Sequence, residues 1–246
     1  LLPFAGANAA GDAVKPPQYD WTFNGPLGTY DRGALQRGLK VYREVCAACH
    51  SLKRVYYRNL EEIGYTEDQV KNIAAEYMVM DGPNDEGEMF QRPAEPKDRF
   101  VSPFPNEQAA RFANGGAYPT DMSLLAKARK GGAEYIYGVL VGYVDPPEGK
   151  VVPEGMNYNK YYSGNLIAMT NPIIEGAITY KGLDGAEDFQ PSADVMAKDV
   201  SAFLMWAAEP HMEERKQTGV KVILFLIVFT GLMYAVKKKV WADVHH

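Results

Sequence analysis

An all-α domain with long irregular insertions, carried on one C-terminal membrane helix, is the fold class the sequence predicts, and three observations lead to it. Apolar residues recur at three- and four-residue spacing in several separate segments, the mark of one buried helix face. Between those segments lie stretches crowded with turn formers, from a total of 16 prolines and 23 glycines in 246 residues, that leave no room for long regular elements. Near the end, residues 222–236 carry no charge and run into Lys237-Lys238-Lys239.

Taken in order, Leu1-Leu2-Pro3-Phe4-Ala5-Gly6 followed by Ala7-Asn8-Ala9 has the form of a signal region and its small-residue cleavage site. A mobile N-terminus is the other reading, and with Pro16-Pro17 either one leaves residues 1–18 outside the fold. Trp21-Thr22-Phe23 is an aromatic segment closed by turns at Asn24-Gly25-Pro26 and Gly28. Asp31 can cap a helix from Arg32 to Cys46, with Leu35, Leu39, Tyr42 and Val45 as its buried stripe. Gly38 inside that helix costs ~1 kcal/mol relative to alanine unless another backbone comes close, so it marks a helix crossing.

Thr66–Met80 reads as a second helix, with Ile63, Val70, Ile73, Ala74 and Tyr77 on its apolar side and Met78 in the core. From Pro93 to Pro119, Pro96, Pro103, Pro105 and Gly115-Gly116 predict loops alone. Met122–Arg129 is a short helix stopped by Gly131-Gly132; Ala133–Tyr143 is another, with Tyr135, Ile136, Val139 and Leu140 inward. Leu166–Pro172 has no helical spacing and ends at a proline, so it is extended. Ser192 caps a further helix that buries Met196, Val200, Phe203 and Ala207 and stops at Glu209-Pro210.

With Lys221 snorkelling, the uncharged run stretches to residues 218–236, about 19 residues, enough for a bilayer. The three lysines after it place the C-terminus on the cytoplasmic or matrix side. The expected division is therefore a principal domain over 19–210 on the opposite side, an anchor over 211–240 and a short tail over 241–246.

The chemistry is concentrated in Cys46-Ala47-Ala48-Cys49-His50, the Cys-x-x-Cys-His signature of covalent haem c attachment. On one helical turn the two thiols share a face, each can form a thioether to a haem vinyl group, and the next imidazole reaches the iron. A thioredoxin-like dithiol would need a strand before it, whereas a helical pattern leads into these cysteines. Zinc needs about four ligands, and beyond these three the chain adds only His211, His245 and His246 and no further cysteine. His211 adjoins the anchor, and His245 and His246 beyond it resemble the end of a tag. Among ten methionines, Met78, Met196 and Met205 fall on helical stripes and Met233 in the membrane run. Met169, in the extended proline-bounded segment, is the first choice for the second face of the ring, and Met156 the alternative.

Of 26 basic and 31 acidic residues, six basic and three acidic ones lie from residue 211 onward. The body before it thus holds 20 basic and 28 acidic residues, a net charge of −8 that disfavours nucleic acid and suits a basic protein partner. Ten acidic residues against Lys71 and Arg92 stand between Glu61 and Glu95, as a solvated face or a docking surface.

The Gly38-x-x-x-Tyr42 helix leading into the motif, together with Asp199-Val200-Ser201-Ala202-Phe203-Leu204-Met205-Trp206, resembles the paired N- and C-terminal helices of class I c-type cytochromes. From about Trp21 to Trp241 the chain resembles the cytochrome c1 family, most specifically at Asp121-Met122-Ser123-Leu124, at Ala128–Ile136, and at Trp206-Ala207-Ala208-Glu209-Pro210 entering the anchor. The resemblance implies one haem c held by Cys46 and Cys49, with His50 and Met169 as axial iron ligands. It further implies Asn114 lining the pocket, and Arg129 and Tyr135 near a haem propionate, a group that a guanidinium can pair with. One departure stands in the ligand segment, where Thr170-Asn171 separates Met169 from Pro172 although the family usually has proline directly after the methionine.

The implied role is that of a one-electron carrier of the dimeric ubiquinol:cytochrome c oxidoreductase complex, beside cytochrome b. It would receive electrons from the Rieske iron-sulfur subunit and deliver them to a soluble basic cytochrome c. The membrane would be an energy-transducing inner membrane, with the haem domain on the periplasmic or intermembrane-space side. Such a chain makes and breaks no bond, so it is not catalytic alone. Two rivals are a free-standing membrane-tethered shuttle and a haem peroxidase or ligand sensor with an open sixth position. A purely structural anchoring subunit would leave Cys46 and Cys49 unexplained.

Overall fold

The Asp31 carboxylate accepts the Ala34 amide at 3.2 Å and starts α1 (Arg32–Glu44), the helix on which the principal domain is built. In this computed structural model residues 14–181 and 187–243 are described; Ala7-Asn8-Ala9, His245 and His246 lie outside them. The described fold is mostly helical. After α1 come α2 (Glu67–Ala75), the strands β1 (Met78–Asp81) and β2 (Phe90–Pro93), α3 (Glu107–Ala113), α4 (Leu125–Ala128) and α5 (Ala133–Val141). Two-residue strands β3 (Asn157–Tyr158) and β4 (Leu166–Ile167) follow, then α6 (Ala193–Ala208) and α7 (Met212–Val240). Both strand pairs are antiparallel ladders.

The core lies where α1 crosses α6. At Gly38 a methyl group would run into the Asp199 carbonyl and the Phe203 side chain, so the backbones meet where only glycine fits. Around that point Leu35, Leu39 and Tyr42 of α1 and Met196, Val200, Phe203 and Leu204 of α6 are all but sealed from solvent. An aromatic chain extends the core: Tyr42 and Phe203 have ring centroids 5.9 Å apart, Phe203 and Trp206 5.6 Å, and Phe100 stacks on Tyr57 at 4.6 Å. Ser192 caps α6 through the Val195 amide, and the helix stops at Glu209-Pro210 as its sequence dictates.

Four expectations need correction. The second helix ends at Ala75 instead of Met80, because residues 78–81 pair with residues 90–93 as a hairpin; Arg92 ties it by ion pairs to Asp81 and, at 2.6 Å, to Asp98. Met78 is consequently a strand residue half in water, not core. The proline-rich stretch holds a helix after all: α3 fits between its breakers, capped by Asn106 on the Ala109 amide at 2.9 Å and braced by Glu107 and Arg111 at 2.8 Å. α1 stops at Glu44, and the cysteines follow in a tight 3₁₀ turn, Cys46–Ala48.

By contacts the chain divides into two compact units, 14–19 with 31–209, and 20–30 with 210–243 among the described residues. In the second, the Lys216 ammonium donates to the Phe23 and Gly28 carbonyls at 2.6 and 3.1 Å, and the Tyr30 amide donates to Glu213 at 2.6 Å. Trp21 stacks on Phe23 at 5.4 Å within the same strap. The 29-residue α7 is unbroken, with the apolar residues from Val222 to Val236 exposed, and it is long and apolar enough to cross a membrane.

Candidate haem-attachment site

Where α1 gives out, the chain tightens so that the Cys49 and His50 amides both donate to the Cys46 carbonyl, at 3.1 and 2.8 Å. Two free cysteines and a histidine thereby share a single turn. Cys46 is buried, and that desolvation pushes its thiol up to about 12, so it stays protonated at neutral pH. A zinc site needs about four donors, and among the described residues no three His, Cys, Asp or Glu side chains converge as a metal-holding group. A closely spaced pair of thiols, Cys46 buried and Cys49 half-buried, suits thioether formation.

His50 is held at both ends. The Tyr42 hydroxyl donates to its backbone carbonyl at 3.0 Å, and its Nδ1 lies 2.7 Å from the Thr120 carbonyl. A carbonyl cannot donate, so Nδ1 carries the proton and the Nε2 lone pair is left for a ligand. Desolvation lowers the imidazole's pKa, against the opposing pull of the Thr120 bond and of Asp121, which favours the neutral ring a metal requires.

Residues 120–123 brace the turn that follows. The Met122 amide donates to the Ser51 carbonyl at 2.8 Å, while Asp121 accepts from the Ser51 hydroxyl at 2.7 Å and the Lys53 amide at 2.9 Å. Burial alone would raise the Asp121 carboxyl, but the bonds from Lys53, Ser123 and Ser51 outweigh it and hold the group below its usual range. Beside this brace a cavity of about 290 Å³ opens between Cys49, Ser51, Lys53, Phe104, Tyr118 and Pro119.

The other expected site residues fall into separate places. Arg129 ends α4 in extended conformation, and its positive charge opposes the rise that burial imposes on the Tyr135 phenol. Asn114 ends α3, its amide closing on the Ala110 carbonyl at 2.7 Å; Ala110 also lines the cavity. Met169 is half-buried just past β4, and its carbonyl accepts from the Tyr143 hydroxyl at 3.0 Å and the Asn157 amide at 3.3 Å. Met156 is half-buried ahead of β3, in a turn closed on the Pro153 carbonyl. The structure thus gathers Cys46, Cys49 and His50 on one turn and sets Arg129 beside Tyr135. The Asn114 side chain bonds within its own helix, and the Met169 carbonyl is held by Tyr143 and Asn157.

Sequence reasoning passed over Thr120, Tyr42 as a hydroxyl donor, and Tyr143. Only the Asp121-Met122-Ser123 stretch carried a local signal, an Asx-type turn in which Asp121 accepts the Ser123 amide at 3.0 Å. As a set, the paired thiols, the oriented imidazole and the adjoining cavity fit a covalently attached haem.

Known proteins agree with that chemistry. The profile of the Cytochrome C1 family matches residues 21–244. A Bradyrhizobium diazoefficiens protein named cytochrome b/c1 is 50% identical over 267 residues; that match takes in 99% of this chain, which spans only 38% of the relative's length. The mitochondrial heme protein cytochrome c1-2 of Solanum tuberosum is 50% identical over 92% of this chain and 86% of its own. Cytochrome c1 of Rhodospirillum rubrum is 43% identical over the whole chain and 95% of its own length. With the haem signature folded as one turn and the match running through the apolar helix, the chain belongs to the cytochrome c1 family.

Proposed function

We propose that this chain is the one-electron carrier of a quinol:cytochrome c oxidoreductase complex, with one haem c joined to Cys46 and Cys49 and ligated by His50 and Met169. The observation that carries this reading is the Cys46–His50 turn with its imidazole fixed by the Thr120 carbonyl, in a chain of the cytochrome c1 family. A haem c at that turn supplies reversible one-electron transfer at its iron.

The chain's own residues do the rest. The Thr120 carbonyl fixes the His50 tautomer and makes Nε2 a stronger donor. Tyr42 and the Asp121 brace hold the turn while the aromatic core behind it keeps water out. Arg129, beside Tyr135, offers the cation that pairs with a propionate and raises the potential by opposing the ferric charge. Asn114 belongs to the pocket wall.

In this reading the class I haem domain covers 19–210 and α7 is the single membrane anchor of an inner-membrane protein, with the haem domain on the periplasmic or intermembrane-space side. Cytochrome b and the Rieske iron-sulfur subunit are its neighbours in a dimeric complex, and a soluble basic cytochrome c is its acceptor. The hairpin β1–β2 supports that docking, since Asp85, Glu86 and Glu88 are exposed beside Met80 and Met89.

Replacing the sixth ligand tests the assignment. Met169→Leu is expected to lower the midpoint potential on the order of 0.1 V, within the ≈ 0.8 V that axial ligands span, and to make the iron high-spin. An unchanged spectrum would pass the role to Met156. Purification from mild detergent as a monomer without b-type haem would favour a free-standing shuttle over the complex.

A further inference from the structure

The backbone around Met169 is restrained from two sides. Upstream, β4 pairs with β3 through Asn157 opposite Ile167 and Tyr158 opposite Leu166. Downstream, the Asn171 side chain accepts the Ile173 amide at 3.2 Å. Between these anchors Thr170 is exposed and Pro172 lies two residues further on, so no ring stiffens the peptide that follows Met169. What grips that peptide is its carbonyl, which takes the Tyr143 hydroxyl at 3.0 Å and the Asn157 amide at 3.3 Å.

The donors are themselves fixed. Tyr143 bridges to Asn159, which is fully buried. The Asn159 side chain donates to the Val139 carbonyl of α5 at 2.7 Å and accepts the amides of Tyr161 and Tyr162 at 3.1 and 3.2 Å. The Lys160 amide returns to the Gly142 carbonyl at 2.9 Å. The end of α5 is thereby tied to the β3–β4 loop, with Tyr143 at the joint.

We propose that Tyr143, assisted by Asn157, is the positioning residue for the sixth ligand: by holding the Met169 carbonyl it keeps the thioether turned to the iron and raises the cost of displacing it. This rests on Met169 being the ligand. Neither residue touches the iron in this account; each acts through the peptide it holds.

The test is a cyanide titration of the oxidised, haem-loaded full chain in detergent, with melting temperature and midpoint potential recorded beside it. Losing one of the two bonds in Tyr143→Phe is expected to tighten apparent cyanide binding about threefold, and Tyr143→Phe with Asn157→Ala about tenfold, as the weight of one and two hydrogen bonds requires. The midpoint should fall in step. In a Met169→Leu background the same substitutions should change cyanide affinity no further, because the group they position is gone. Wild-type cyanide affinity in both variants, or equal increments in the Met169→Leu background, would overturn the proposal and leave Tyr143 a structural residue. If instead Met169→Leu itself leaves spectrum and cyanide affinity unaltered, the ligand assignment falls and the proposal falls with it. That result is distinct from an iron opened by Met169→Leu but indifferent to Tyr143→Phe, which sinks the positioning role alone.

Discussion

Arg37 grips both oxygens of Asp199, at 2.8 and 3.0 Å, across the α1–α6 crossing; the carboxylate side chain is 6% exposed and the guanidinium 36%. Burial pushes the Asp199 carboxyl above its ordinary range, Arg37 and Tyr180 hold it back, and Asp31 adds to the rise. A raised carboxyl binds its proton more tightly folded than unfolded. Its contribution to stability is therefore full below the ordinary aspartate range and is lost as pH climbs through the raised value. Removing Arg37 lifts that value further. Arg37→Met is expected to cost about 3 kcal/mol at neutral pH, the low end for a broken buried pair, and progressively less as the medium is acidified. Denaturant unfolding of variant and parent at several pH values reads this directly; a pH-independent loss would mean that Arg37 contributes packing alone. Among the site residues, Cys46, Cys49 and His50 were legible because their chemistry is written in consecutive positions. Thr120 and Tyr143 were not, since each bond joins a side chain to a backbone carbonyl, 70 and 26 residues apart, and no side-chain pattern reveals it.

The helices that the sequence makes plain are those with a cap at one end and a long stripe between. Asp31 and Ser192 each accept an amide of the first turn, as their positions predict, and Thr66, expected as the first residue of its helix, is the cap of α2. Where the reading failed, short-range pairing competed with helix periodicity. Residues 78–81 have an apolar spacing that continues α2, but the chain turns at Gly82 and Gly87 and gives the strand a partner that periodicity cannot see. In the proline-rich stretch the breakers predict loops, yet the run from Glu107 to Ala113 between them is made of good helix formers. Gly38 was the best-placed clue to tertiary structure, since its cost inside α1 makes sense only if another backbone arrives there. Gly38→Ala is expected to destabilise the domain by about 3 kcal/mol, roughly 10 °C in melting temperature, because the opposing carbonyl belongs to a helix that cannot swing aside. A variant that melts with the parent would remove the crossing from the explanation.

Taken whole, the chain joins a helical domain to a long apolar helix. Its charge is divided along the same line, acidic before residue 211 and basic after the apolar run. That division was legible from composition. The strap from Asp20 to Tyr30 onto the head of α7 was not, because Lys216 and Glu213 bind main-chain atoms nearly two hundred residues away. Electron transfer at this turn requires haem joined to Cys46 and Cys49, and a pyridine haemochrome spectrum of the denatured, acid–acetone-extracted chain tests that most directly. One haem per chain, remaining with the protein and giving a c-type spectrum, is the result expected; haem that passes into the solvent, or gives a b-type spectrum, would contradict it.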